Sequence, residues 1–147
     1  MYSLKSKKGF TLIELLVVIG ILAVLLAITL IAVNPGQQLQ QADDTKRKSD
    51  INTILGAVNQ YMIKNQGQVP AGVSETVAVI SKTGADLCED LVPEYVASLP
   101  QDPSSNGGGN IADCASAYST GYQISAVDNR VTVYAPNANG GTLTVSR

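Results

Sequence analysis

Three hydrophobic patterns follow one another along the chain. From Phe10 to Val33 there are 24 residues, and Glu14 is the one charged residue among them. At about 1.5 Å of rise per residue this run makes a helix of roughly 36 Å, enough to cross a hydrocarbon core about 30 Å thick. From Gln37 to Asn65 the apolar positions Leu39, Ala42, Ile51, Ile54, Leu55, Val58 and Met62 recur at three- and four-residue steps, so one stripe forms on an amphipathic helix that Gly67 and Pro70 end. In the last quarter the period changes to two. Tyr122, Ile124 and Ala126 alternate with Gln123 and Ser125, Asp128-Asn129 supplies a two-residue turn, and Val131, Val133 and Ala135 alternate with Thr132 and Tyr134. This is the pattern of a β-hairpin, and Thr142 to Val145 can add a third strand after the turn at 136–141.

The joints between these patterns are also legible. At Asn34-Pro35-Gly36 proline removes a backbone donor and glycine adds freedom, which predicts a break or kink at Pro35 and Gly36; a loop between two unrelated helices is the alternative. The region 67–120 is irregular. It holds a short apolar segment, Thr76 to Ile80, and a short helix is expected near Leu91, Tyr95 and Leu99, limited by prolines at 93, 100 and 103. With its apolar face over the stripe of the amphipathic helix, a small antiparallel sheet gives an α+β head.

Composition narrows the function. The 10 basic residues include three lysines before Gly9, so without that stretch seven face 12 acids, and generic attraction to nucleic acid has no support from the average charge. There is no histidine, and Cys88 and Cys114 are the two cysteines. A Cys/His metal site or a His-dependent triad therefore has too few parts, no cofactor is expected, and the chain does not read as an enzyme. The tyrosines lack accompanying basic clusters and read as packing residues rather than a base-stacking platform.

Glu14 is the residue that asks for an explanation. A carboxylate inside a membrane costs about 2.5 to 3.5 kcal/mol on insertion scales, so it needs a partner or a proton. Lys5, Lys7 and Lys8, with no acid among them, hold the start of the chain in the cytoplasm. An ordinary secretory signal has its small-residue cleavage site after the apolar stretch; here Gly9 precedes it. Cleavage after Gly9 would leave the helix in place and give Phe10 a free α-amine, a cation able to pair with Glu14 in its own chain or in a neighbouring one.

Lys7-Lys8-Gly9-Phe10-Thr11-Leu12-Ile13-Glu14 followed by a long apolar helix resembles the prepilin signature of type IV pilins and pseudopilins. The resemblance implies that a prepilin peptidase cuts after Gly9, that Phe10 is N-methylated, and that Glu14 aids assembly. It also implies a type IV pilin-like fold: a leader at 1–9, a transmembrane and filament-core half at 10–36, and a head at 37–147. Within the head it places an amphipathic helix at 37–66, a connecting region at 67–120 and antiparallel strands at 121–147. Leu91-Val92-Pro93-Glu94-Tyr95-Val96 and Leu99-Pro100-Gln101-Asp102-Pro103 are similar to the connecting region of short pilins and major pseudopilins. The implied function is a structural subunit, major or minor, of a homopolymeric or mixed pilus-like filament, built by membrane assembly machinery and held in the cytoplasmic membrane beforehand with its head outside. A pseudopilin of a type II secretion or competence system is the close alternative, and a membrane-anchored binding protein is the alternative of a different class.

Three further readings concern the head. Asp43/Arg47 and Asp44/Lys48 have the spacing of i,i+4 pairs, each contributing about 0.2 to 0.5 kcal/mol, so residues 43–50 read as a solvated helical face, with contact between subunits as the sharper alternative. Cys88 and Cys114 are an even pair in the part expected outside the cytoplasm, which favours a disulfide; two buried free thiols are the alternative. The stretch 102–113 carries oxygen ligands at loop positions 1, 3, 5 and 12 with Gly107 at 6, but the usual bidentate glutamate is Asp113, and the segment reads as a plain loop with no metal.

Overall fold

The computed structural model describes residues 9–105 and 108–147. The leader lysines and the Asn106-Gly107 step of the proposed loop lie outside the described residues. The chain divides after Leu39 into two compact units.

In the first unit Leu12–Val33 form helix α1, and none of its residues is buried within the chain. Its length and composition suit a membrane crossing. Both of its polar side chains bond locally: Glu14 to Thr11, and Thr29 to the Leu26 carbonyl oxygen at 2.9 Å. Asn34 ends the helix with φ at +43°, a left-handed cap that a short polar side chain tolerates. Pro35 then opens the next helix, α2 (Pro35–Lys64), in the first-turn position where its missing N–H costs nothing. The break predicted at Pro35 and Gly36 thus falls at Asn34, and Gly36 is helical.

Helix α2 stops where Gly67, at φ +86°, donates its amide back to the Met62 carbonyl at 2.7 Å. The expected stripe is buried from Ile51 onward, with Ile54, Leu55, Ala57 and Val58, whereas Leu39 is 68% exposed. Against it lies a four-stranded antiparallel sheet in the order β1-β2-β3-β4: β1 (Ala78–Ser81), β2 (Ser119–Val127), β3 (Arg130–Ala135) and β4 (Leu143–Ser146). Asp128 and Asn129 both have positive φ, as a two-residue hairpin turn between β2 and β3 requires. Strand β1 was not expected; it comes from the apolar segment in the connecting region, which pairs with β2 across about forty intervening residues that carry no sequence cue to the pairing. Ile80, Tyr122, Ile124, Val131, Val133 and Ala135 from the sheet share one core with α2 and with Leu87, Leu91 and Leu99 of the connecting region. A one-turn helix, α3 (Cys88–Leu91), lies between β1 and β2.

The reading of residues 43–50 as a solvated face holds for Thr45, Lys48 and Ser49, which are exposed, and is corrected at Arg47 and Asp50. Arg47 is only 3% exposed and is bonded to buried Asp102 through Nε (3.0 Å) and Nη2 (3.2 Å), while its Nη1 reaches Asp44 at 2.9 Å. Lys46 pairs with Asp50 at 3.1 Å and also donates to the Gln101 carbonyl at 3.0 Å. Asp50 in turn accepts from the hydroxyl of fully buried Tyr122 at 2.7 Å. Lys46, Arg47 and Asp50 are therefore directed at residues 101–104 and at β2, and neither expected i,i+4 pair forms. Burial drives the Asp102 carboxyl upward, but hydrogen bonds from Arg47 and Ser104 outweigh it and hold it below the ordinary aspartate value.

Cys88 and Cys114 form a disulfide, with Cα atoms 5.4 Å apart. Beside it the Tyr118 hydroxyl donates to Asp86 at 2.7 Å and accepts from the Leu87 and Cys88 amides, both at 3.2 Å. Burial and the Asp86 carboxylate push that hydroxyl up to about 12.

Two predictions follow for the full chain in detergent micelles, read by near-ultraviolet circular dichroism during thermal unfolding. Asp102→Asn should destabilise the head by about 3 kcal/mol, the lower end of the range for breaking a buried pair, because Asp44 still faces Arg47. The carboxylate form of Asp102 stabilises the fold fully above its unfolded pKa of about 3.9, and this is lost as pH falls through the lower folded value. The wild-type midpoint should therefore drop more steeply than that of the variant below about pH 4; parallel curves would show that the pair contributes nothing. Replacing both cysteines by serine should cost roughly 3 to 4 kcal/mol from the loop closed between them. Non-reducing peptide maps should show residues 88 and 114 joined.

Candidate functional site

The predicted site residues Gly9, Phe10 and Glu14 come together at the start of α1. Thr11 is the N-cap of that helix: its backbone is extended (φ −84°, ψ 152°) and its hydroxyl accepts from the Glu14 amide at 3.3 Å. In return Glu14 Oε2 accepts from the Thr11 amide at 2.9 Å and from the Thr11 hydroxyl at 2.8 Å. Thr11-Leu12-Ile13-Glu14 is thus a capping box. The sequence carried the signal, a threonine three residues before a glutamate at the head of an apolar run, and Thr11 is the residue that the reading of the site missed.

This arrangement bears on the charge within the apolar run. The carboxylate has a neutral partner in its own chain before any processing. Both bonds use Oε2, so among the described residues Oε1 accepts no hydrogen bond. The negative end of the side chain also lies at the helix N-terminus, where exposed amides favour an anion. Phe10 is 84% exposed and precedes the cap, and Gly9 has open space around its α-carbon. Among the described residues, nothing encloses the peptide bond between them. An amine created at Phe10 would stand beside a carboxylate with one oxygen already held in place.

The other predicted positions serve the fold. Cys88 and Cys114 tie the connecting region together, far along the chain from the Phe10 tip. Asp102, first of the suggested calcium ligands, is committed to Arg47, and Asp113 accepts from Ser116 Oγ at 2.6 Å and the Ala115 amide at 3.0 Å. Among the described residues no cluster of three or more His, Cys, Asp or Glu side chains is placed to hold a metal.

Comparison with known proteins places the tip in context. Residues 4–30 match the prokaryotic N-terminal methylation motif. Over 102 residues the chain is 34% identical to the type II secretion system core protein G of Klebsiella pneumoniae, which covers 68% of this chain and 71% of that one. It is 32% identical over 110 residues to the protein of the same name from Aeromonas hydrophila, and 31% identical over 102 residues to that of Escherichia coli. The shares are 69% and 71% for the former, and 69% of both chains for the latter. No solved structure matches.

The capping box yields a test. Thr11→Val removes the hydroxyl that holds Oε2 while preserving shape, and should weaken the first turn of α1 by about 1 kcal/mol, the usual worth of a cap. Amide exchange of Glu14 and Leu15 in micelles should accelerate several-fold, with head amides unchanged. Unaltered exchange at these two amides would show that the box does not form in a membrane-like medium.

Proposed function

The chain belongs to the family of type II secretion system core protein G, a pseudopilin family, and on that premise we propose that it is a structural subunit of a pilus-like secretion filament. The observation that carries this is the match of 102 residues at 34% identity, too long to be accounted for by the methylation motif and α1 alone. The motif is common to pilus and secretion subunits. The names of the relatives favour secretion.

In this reading α1 holds the subunit in the cytoplasmic membrane with the head outside. A prepilin peptidase cuts between Gly9 and Phe10, the new amine is methylated, and membrane machinery draws the subunit into the polymer. The chain performs no catalysis. Glu14 acts at the moment of joining: the Phe10 amine of an adjacent subunit approaches the free carboxylate oxygen and neutralises the charge where water is absent. Thr11 keeps the carboxylate oriented until then.

Two measurements decide it, in cells with an intact prepilin peptidase. Intact-mass spectrometry of assembled subunits should find a chain that begins at methylated Phe10; assembled subunits that still begin at Met1 would overturn the reading. Glu14→Leu should insert into the membrane at least as well as wild type yet give sheared filament at a tenth of the yield or less, by about the 1.4 kcal/mol per tenfold that a lost ion pair easily exceeds. Full filament yield from that variant would remove the trans pairing while leaving family membership intact.

A further inference from the structure

The turn that joins β3 to β4 is pinned to helix α2 through Asn139. Its backbone amide donates to Asp44 Oδ1 at 3.2 Å, and its side-chain nitrogen donates to the same oxygen at 3.3 Å and to the Gln40 carbonyl at 3.4 Å. The Gly141 amide donates to the Ala138 carbonyl at 3.2 Å, which places Asn139 and Gly140 at the centre of a β-turn. Both central residues are exposed. Asp44 also accepts from Arg47 Nη1 at 2.9 Å, so the pin ends on the carboxylate that supports the buried Arg47–Asp102 pair.

An asparagine that precedes glycine can react with its own main chain. The side-chain Cγ and the nitrogen of the next residue close a five-membered ring, and a β-carbon on that next residue is the chief obstruction. Position 140 has no β-carbon, and one added there would meet nothing within 4 Å. The Gly140 amide donates to no carbonyl among the described residues, so its nitrogen is uncommitted. The pin opposes the reaction, because its two side-chain bonds hold the Asn139 amide group against α2 and away from Gly140.

We propose that Asn139 is a self-modification site whose conversion releases the β3–β4 turn from α2. Once the turn undocks, the Gly140 nitrogen attacks Asn139 Cγ and a new C–N bond forms. The Cγ–Nδ2 bond breaks, and that nitrogen leaves as ammonia with the Gly140 amide proton. Water then opens the imide at one or the other carbonyl, leaving aspartate or isoaspartate. Water is the one co-reactant, and nothing is oxidised or reduced. Either product replaces the side-chain donor, 3.3 Å from Asp44 Oδ1, by a second carboxylate, so attraction becomes repulsion. Isoaspartate also adds a carbon to the main chain shortly before β4. The turn does not redock, and the step is one-way. The proposal does not depend on the secretion reading.

The test incubates the full chain in detergent micelles in warm, mildly alkaline buffer, beside a synthetic peptide of residues 135–143, and follows residue 139 by peptide mapping. Mapping separates this step from the other Asn-Gly of the chain, at 106–107. Residue 139 should convert to aspartate and isoaspartate about fivefold or more slowly than in the peptide, because only the undocked fraction reacts. Asp44→Ala, which removes two of the three bonds, should bring the rate toward that of the peptide. Gly140→Ala, for which the fold has room, should all but stop conversion. Asn139→Asp stands for the product, and its residue-139 amide should exchange several-fold faster than in wild type, with the Ile124 and Val133 amides unchanged. An unconverted residue 139 after the peptide is consumed overturns the proposal. So does conversion of Gly140→Ala at the wild-type rate, for then water attacks the side chain directly, and so does an Asn139→Asp turn as protected as wild type. If Asp44→Ala fails to fold, the peptide still decides whether the pin governs the reaction: equal rates in chain and peptide would show that it does not.

Discussion

The head depends on one buried ion pair. Arg47 and Asp102 are 55 residues apart in sequence, and both are out of water. Such a pair is tolerable only when the remaining donors and acceptors are met. Here they are: Asp44 takes a third guanidinium nitrogen, and Ser104 donates to Asp102 through both its amide and its hydroxyl. The cost of charge burial thus becomes a constraint on register. Helix α2 can sit on the sheet only where Arg47 meets the 101–104 segment, and the Asp102 amide in turn donates to the Thr120 carbonyl of β2 at 2.8 Å. Hydrophobic contacts supply most of the driving force but are non-directional. The ion pair and the neighbouring Asp50–Tyr122 bond supply the direction.

Helix α1 obeys the opposite rule. It buries nothing within the chain and contains no pair of opposite charges; its composition lets it rest in hydrocarbon, where the backbone must be satisfied within the segment and a polar side chain gains from a local partner. Thr29 does so through a carbonyl one turn back, and Glu14 through the cap. A single sequence thus contains two solvents' worth of design, and the helix that carries the first ends at Asn34, where the backbone turns left-handed for one residue.

What the sequence made legible follows the same division. The apolar run, the stripe from Ile51 to Val58 and the hairpin around Asp128-Asn129 are local or periodic signals, and each specifies its element without reference to the rest of the chain. Strand β1 and the Arg47–Asp102 pair could not be read this way. A four-residue strand acquires its identity from a partner about forty residues on, and an arginine amid charged neighbours looks solvated until the loop that covers it is known. The i,i+4 rule misled for a physical reason: an exposed pair contributes a few tenths of a kcal/mol, so a tertiary carboxylate easily takes its place. Thr11 is different, since its capping signal lay within four residues and was obscured by the stronger processing signature written over the same positions.

The magnitudes at the tip show how a glutamate can be stable there and still have an oxygen open to a cation. Insertion of the charge costs about 2.5 to 3.5 kcal/mol at the centre of a membrane and less near its surface. Two hydrogen bonds to a charged acceptor, at about 1.5 kcal/mol or more each, can offset much of this within one chain, so the uncut protein has no need to expel the side chain. A cation at about 4 Å would add roughly 4 kcal/mol even at an effective dielectric constant of 20, and it would have the oxygen that the cap leaves open. The local bonds and the ionic one therefore add rather than compete. A carboxylate without the cap would have to find a cation to remain charged in the membrane at all; with the cap it has two local donors, and under the proposed assembly role the gain on pairing would come with the approach of the next subunit.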